Sequence, residues 1–314
     1  MSALEKLVVL LGPTASGKTN LSIQLAHALQ TEIISGDSML VYKGFDIGTA
    51  KPTAEERDGI VHHMVDILPP AANFNLMDFL TQVKPIVSRL NQEGKIPLLV
   101  GGTGLYIQSL LEGYELNQQQ EDSAYRQELE RLAEARGREH VHHMLAMVNP
   151  EAAYRLHPND LRRVIRALEV HHLGGGEVSR AKSGRLYDAY VAGLGWERSA
   201  LYDRINQRVD LMLGQGLQQE IQQLVSAGVP PACQAMKGIG YKEMLPVLQD
   251  RADTPDFVSA VNKIKQNSRH FAKRQLTWYR RMSYIHWYQP ALYQSTEALA
   301  ENMLWDIRRW FKNK

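Results

Sequence analysis

Apolar residues follow two alternating rhythms along the first third of this chain. Residues 7–11, LVVLL, form a continuous apolar run, which predicts a strand buried on both faces. Leu21, Leu25, Ala28 and Leu29 then recur at helical spacing. EIIS predicts a second short strand ending near Asp37, and MVDIL, residues 64–68, a third. IPLLV, residues 96–100, predicts a fourth, followed by GGTG and a helical stretch from Leu105. Strands alternating with helices predict a parallel sheet flanked by helices, an α/β fold.

The rhythm changes after Tyr114. NQQQED reads as a polar turn, and from Ser123 to about Leu173 the pattern is helical, charged and without strand signals. GGGEVSRAKSGR reads as a flexible connection, after which strand character returns at AYVAGLGW. The remainder is helical, notably residues 201–227 and 257–282. The expected organisation is an α/β core from residues 1–117 and 186–314, interrupted by a helical insertion at 118–185.

Net charge adds little to this picture, because 36 basic residues nearly balance 34 acidic ones. Distribution adds more. Residues 257–296 contain no carboxylate but carry Lys263, Lys265, Arg269, Lys273, Arg274, Arg280 and Arg281. Aromatics interleave with arginines in TWYRRMSYIHWY, a mixture suited to single-stranded nucleic acid. The competing reading is a solvated helix face over core aromatics. Cys233 is the one cysteine, which excludes an intramolecular disulfide and suits a reducing, cytoplasmic compartment. No apolar run reaches membrane-spanning length. Six histidines fall in the insertion (140, 142, 143, 157, 171 and 172), without the spacing of a metal site, and read as surface or packing residues.

The sharpest motif is GPTASGKT, residues 12–19, set between the first strand and first helix. Its spacing is that of a P-loop. Gly12 and Gly17 let the backbone wrap around a phosphate, Lys18 adds a point charge, and the Thr19 hydroxyl is placed to bind Mg²⁺. An NTP hydrolase of this type would hold Mg²⁺ with an acidic residue ending a second strand. IPLLV ends instead in Gly101, Gly102, Thr103 and Gly104. The carboxylate at a strand end is Asp37, where ligands of open α/β sheets bind and where it could assist a metal or take a proton; the competing reading is an aspartate that caps a helix starting at Ser38. The GGTG glycines have two readings, close approach of backbone to a ligand or a tight strand-to-helix turn. Arg204 and Arg208, one turn apart, could clamp a diphosphate or pair with Asp203 and Asp210.

GPTASGKT, ISGDSMLVYKGFDIGTAKP, PLLVGGTGLY, HPNDLRRVIRALEV, KGIGYKEM and KRQLTWYRR occur in this order, and with them the chain resembles the bacterial tRNA dimethylallyltransferases. The resemblance runs from about Val8 to about Trp287 and implies a P-loop-containing parallel sheet with a tRNA-binding helical insertion. It implies transfer of a dimethylallyl group from dimethylallyl diphosphate to the exocyclic amine of the adenosine on the 3′ side of the anticodon. On that reading Asp37 is the general base, and Thr14, Lys18 and Arg208 act on the diphosphate leaving group. Gly12, Pro13, Thr14, Ala15, Ser16, Gly17, Lys18 and Thr19 cradle it, with Mg²⁺ as cofactor on Thr19. The stretches expected to meet tRNA are Asp37, Ser38, Met39 and Leu40; Thr103; Arg126; Arg162, Arg163, Val164, Ile165 and Arg166; and Lys237, Gly238, Ile239, Gly240, Tyr241 and Lys242. A monomer is expected. The alternatives are an isopentenyltransferase acting on free AMP, ADP or ATP, a P-loop nucleoside kinase with a helical lid, and a non-catalytic RNA-binding protein.

Overall fold

The structure, a computed structural model, describes residues 4–114, 122–174, 182–249 and 256–312. Most of the NQQQED turn and of the glycine-rich connection after Leu173 lies outside them. The described chain divides into two compact units, residues 1–111 with 185–314, and residues 112–184.

The first unit opens with β1 (Glu5–Leu11), α1 (Lys18–Leu29), β2 (Ile33–Ser35), β3 (His62–His63), α2 (Leu76–Gln92), β4 (Leu98–Gly101) and α3 (Gly104–Glu112). The second unit holds α4 (Ser123–Arg136), α5 (Arg138–Val148), α6 (Pro150–Arg155) and α7 (Leu161–His172). The first resumes with β5 (Tyr187–Leu194), α8 (Arg198–Gly214), α9 (Leu217–Ser226), α10 (Tyr241–Leu248), α11 (Phe257–Tyr279), β6 (His286–Tyr288) and α12 (Thr296–Lys312).

One six-stranded sheet runs in the order β3-β2-β4-β1-β5-β6, with every pairing parallel. β1 lies between β4 and β5, with Val8 opposite Leu98 and Tyr190. Helices therefore cover both faces, and the side chains of residues 7–11 are all buried, as the unbroken apolar run requires. On one face Val8 and Leu10 pack with Leu21 and Leu25 of α1 and Leu299, Met303 and Ile307 of α12. α2 packs along β1 and buries Val83, Val87 and Leu90. Its start is fixed by a capping box between Asn75 and Asp78. Because all strands are parallel, the segments that follow β1, β2 and β4 emerge at the same edge of the sheet.

Three sequence expectations change. The strand expected at MVDIL lies just before it, at His62–His63, and ends there because Met64 and Asp66 turn the chain with φ of 63° and 56°. Asp66 is held there by Lys51 at 2.5 Å and by Arg57 at 3.4 Å. The single helix over 201–227 is two, broken where Gly216 takes φ 102°. SYIHWY, read with the nucleic-acid-facing aromatics, supplies edge strand β6, and Tyr288 is buried with its hydroxyl donating to Asp306 at 2.6 Å.

In the second unit Leu129, Val141, Leu145, Val164, Ile165 and Leu168 form a separate helical core. Glu169 is fully buried within it. Its carboxylate accepts from Arg126 at 2.8 Å, Arg166 at 2.5 Å and the Asp122 backbone N–H at 2.8 Å. Burial alone would raise its pKa, but these donors hold it below the usual carboxylate range.

Candidate active site

The turn after β1 is built around a backbone that few residues adopt. Ala15 has φ 62° and Gly17 has φ 91°. A non-glycine residue in the left-handed region is strained and persists where the surroundings impose it. The turn leads directly into α1, whose unpaired N-terminal N–H groups favour an anion. A side chain at Gly12 would come within 2.7 Å of Ser16 Oγ, so the first loop glycine is needed for closure. Lys18 Nζ folds back and donates to the carbonyls of Gly12 and Pro13, both at 2.8 Å. Burial lowers its pKa from 10.5 to about 7; the Arg208 charge lowers it further, and Asp37 opposes both.

The opposite wall comes from the ends of β2 and β4. Gly36 N–H donates to Val100 O at 2.7 Å, Thr103 N–H to Gly36 O at 3.3 Å, and Ser38 N–H to Thr103 Oγ1 at 3.2 Å. Asp37 Oδ1 accepts the Met39 N–H at 2.8 Å, a short Asx turn that orients the carboxylate. The GGTG glycines serve the turn reading. Side chains at Gly101, Gly102 and Gly104 would meet Gly36 O at 2.5 Å, Gln275 Nε2 at 2.4 Å and Trp278 Cδ1 at 2.5 Å. The protein's own atoms fill the space that a Cβ would need.

α8 and α11 complete the site. Arg208 donates to Thr49 O at 3.3 Å, and burial lowers its pKa against the raising influence of Asp37. Arg204 Nε donates to Ala15 O at 2.9 Å. Neither arginine pairs with the helix's own aspartates, since Asp210 holds Lys265 at 2.6 Å and Asp203 forms no ion pair among the described residues. Gln275 of α11 accepts from the Thr14 N–H and donates to Gly102 O, both at 2.9 Å. Tyr279, one turn on, donates to Gly102 O at 2.8 Å and lies 3.3 Å from Gly12 O. This pair ties the anion loop to the GGTG turn. The buried face of the basic segment therefore carries a polar tie to the loop that the sequence reading of a solvated face over core aromatics did not name. The available signal was a polar pair at i, i+4 on the side bearing Ile264, Ala272 and Leu276.

A second missed group is Glu220 of α9, which sequence periodicity places on a buried face. Its carboxylate accepts the N–H groups of Asp46, Ile47 and Gly48 at 2.9, 2.7 and 3.2 Å, and the Tyr241 hydroxyl at 2.6 Å. Lys51, nearly buried, reaches Tyr42 O and the carboxylates of Asp46 and Asp66. FDIGTAKP is thus a rigid loop whose Thr49 carbonyl meets Arg208. Removing Glu220 strands three backbone donors. Glu220→Ala is expected to cost about 2–4 kcal/mol of stability, and Glu220→Gln less. Urea unfolding of both variants checks this, and an unchanged midpoint in Glu220→Ala refutes it.

Asp37, Lys18, Thr14, Arg208 and Thr103 therefore meet at one sheet edge, whereas Arg126 and residues 162–166 belong to the other unit. Several residues expected to meet tRNA are placed otherwise. Val164 and Ile165 are core, and Tyr241 is fully buried against Phe45. Arg126 and Arg166 hold Glu169, while Arg162, Arg163, Lys237 and Lys242 are exposed. On α11, Lys265 pairs with Asp210 and Arg269 donates to Asn206 at 2.6 Å, leaving Lys273 and Arg274 exposed. His142 contacts the carbonyls of Ala153 and Leu156, and no cluster of metal-ligating side chains exists among the described residues. Thr19 is exposed at the first turn of α1. Mg²⁺ takes few protein ligands and keeps water and phosphate oxygens, so a lone hydroxyl beside an anion loop fits it.

A glycine-rich loop between β1 and α1, a strand-end carboxylate opposite it and two arginines on an overlying helix define a P-loop α/β protein. The chain belongs to the IPP transferase family, whose model matches residues 40–282; an isopentenyl transferase model matches residues 5–66. It is 48% identical to the tRNA dimethylallyltransferase of Bacillus cereus (strain AH187) over 98% of each chain. Identity to the Bacillus anthracis tRNA dimethylallyltransferase is also 48%, over 90% of each. The full-length tRNA isopentenylpyrophosphate transferase of Bacillus halodurans superposes with TM-score 0.72 at 40% identity, covering 98% of each chain. A eukaryotic dimethylallyltransferase acting on tRNA superposes with TM-score 0.78 at 27% identity, covering 99% of this chain and 80% of its own. No helix among the described residues is long and apolar enough to cross a membrane.

Proposed function

We infer that this enzyme transfers a dimethylallyl group from dimethylallyl diphosphate to the exocyclic amine of the tRNA adenosine on the 3′ side of the anticodon. The observation that carries the reading is the facing of Asp37 and the anion loop, where its charge acts on both Lys18 and Arg208. The amine nitrogen attacks the allylic carbon as the carbon–oxygen bond breaks. Diphosphate leaves with the bond's electron pair, and the amine proton passes to Asp37. Lys18, Arg208 and the loop N–H groups stabilise charge growing on the leaving group. Thr19 would hold Mg²⁺, which would supply further charge neutralisation at the leaving group. Thr14 positions the loop through its N–H to Gln275. The adenosine leaves the anticodon stack to reach the site.

Incubation with radiolabelled dimethylallyl diphosphate and either unmodified tRNA or AMP tests the acceptor. Label on tRNA alone supports the reading. Label on AMP moves the enzyme to the free-nucleotide class, and steady ATP hydrolysis without transfer moves it to the kinase or ATPase class.

Arg162 and Arg163 are proposed as phosphate contacts in the second unit. Arg163 has Asp160 3.3 Å away, and both side chains are exposed. Replacing the pair with alanine is expected to weaken tRNA binding and to flatten the log–log salt dependence by up to about 1.4, at about 0.7 per phosphate neutralised. Arg166 is left intact because its loss would leave Glu169 under-paired. A salt series of tRNA dissociation constants checks this; an unchanged slope places the RNA elsewhere.

A further inference from the structure

The anion loop is held from outside by two side chains that the reaction as described does not use. Trp196, just past β5, donates its indole N–H to Ser16 O at 3.1 Å. Arg204 of α8 donates Nε–H to Ala15 O at 2.9 Å, and its guanidinium lies 4.4 Å from the Trp196 ring centroid. Arg204 Nη2 also lies 3.7 Å from where a Cβ on Gly17 would be. The two carbonyls belong to consecutive residues, the first of which is the left-handed Ala15. Carbonyls and N–H groups of one peptide point in opposite directions. Holding the Ala15 and Ser16 carbonyls therefore turns the N–H groups of Ser16 and Gly17 away from the arginine, where the Ser16 N–H donates to Pro13 O at 3.3 Å and closes the turn while the Gly17 N–H faces the other side of the loop. Arg204 is exposed and forms no ion pair among the described residues, so no salt bridge explains its fixed pose.

We propose that Arg204, stacked on Trp196, is a positioning residue that holds the anion loop in its strained, donor-binding conformation. The two arginines of α8 then have different tasks. Arg208, with its back to Thr49, acts on the diphosphate. Arg204 grips the Ala15 carbonyl, beside Trp196 on that of Ser16, and fixes the turn and the direction of the Gly17 N–H before the diphosphate arrives, sparing that ordering from the binding step. The planar guanidinium matters, because one edge donates while its face stacks; a lysine ammonium supplies charge without either constraint.

This inference rests on the reading of the loop as a diphosphate site. The test titrates inorganic diphosphate with Mg²⁺ into the full chain by calorimetry, and measures donor KM, kcat, tRNA affinity and thermal midpoint. Arg204→Ala is expected to raise the diphosphate Kd and donor KM about tenfold, the scale of one charge-assisted hydrogen bond. tRNA affinity and thermal midpoint should not move, since the side chain is exposed. Trp196→Phe, which keeps a ring but loses the N–H, is expected to give about a threefold increase. Arg204→Lys should recover little. Wild-type binding by Arg204→Ala overturns the proposal. Full recovery by Arg204→Lys overturns it in favour of charge alone, and an equal loss of tRNA affinity overturns it in favour of general unfolding. Failure of the wild type itself to bind diphosphate would instead overturn the diphosphate reading, and the brace with it.

Discussion

Asp37→Asn is expected to lower the rate of prenyl transfer by about 10²–10⁴-fold, the usual contribution of a general base, while leaving the fold intact. The substitution suits the local geometry. Asp37 Oδ1 accepts the Met39 N–H, and the asparagine oxygen can keep that turn. What disappears is the basic oxygen and the negative charge. Asp37→Ala removes the turn as well, so a larger loss in alanine than in asparagine measures the turn's share. Binding of the donor should move the other way. Asp37 places a negative charge close to Lys18 and Arg208, where it opposes an incoming diphosphate. Asp37→Asn is therefore expected to bind inorganic diphosphate at least as tightly as the wild type. Single-turnover transfer with saturating tRNA and donor checks the rate, and calorimetry checks the affinity. An asparagine variant with full activity would remove Asp37 from the chemistry.

The loop, the strand-end aspartate and the parallel sheet were legible because each is written in contiguous residues. LVVLL followed by GPTASGKT specifies strand, turn and helix within one short stretch, and the structure follows that order. The contacts that make the site rigid are not contiguous. Gln275 and Thr14 lie far apart in sequence, as do Glu220 and the loop at Asp46, and nothing in either local pattern names the other. Local patterns report which face is buried; they do not report which polar group waits there.

The aromatic and basic segment near residue 280 illustrates the same limit. Aromatics among arginines suit RNA and suit a core beneath a solvated face equally well. The structure divides them residue by residue. Tyr279 and Tyr288 are buried and hydrogen-bonded, Trp278 donates to Gln108 at 2.9 Å, and Lys273, Arg274, Arg280 and Arg281 remain exposed. The Glu169 cluster is a second case. Arg126 and Arg166 belong to stretches that resemble RNA-binding segments, yet a carboxylate buried between them gives both a structural partner. An arginine on a helix is ambiguous until its partner is known.

Lys18→Ala is expected to lower kcat by about 10²–10³-fold, the cost of losing one donor to a charge developing on the leaving group, and to weaken diphosphate binding about as much. The lysine carries a distinct pH signature. Burial, helped by Arg208, holds its pKa near 7 rather than 10.5. A depressed lysine penalises the folded state below that value, because the unfolded chain retains the proton more strongly. The penalty is relieved as pH rises from about 7 toward 10.5, and the difference in stability between wild type and Lys18→Ala should shift in the wild type's favour over that window. Diphosphate reverses the balance. Its charge against Nζ favours the ammonium, so its binding at pH 8 should take up close to one proton, since a group with pKa near 7 is about nine-tenths neutral there. At pH 6 the lysine is already charged and uptake at this group should nearly vanish. Calorimetry in two buffers of different ionisation enthalpy reads the proton count directly. The difference between wild type and Lys18→Ala isolates this residue from the titration of diphosphate itself. Equal proton uptake by both proteins at pH 8 would mean that Lys18 enters the complex uncharged or was never depressed, and would remove it as the cation that meets the leaving group.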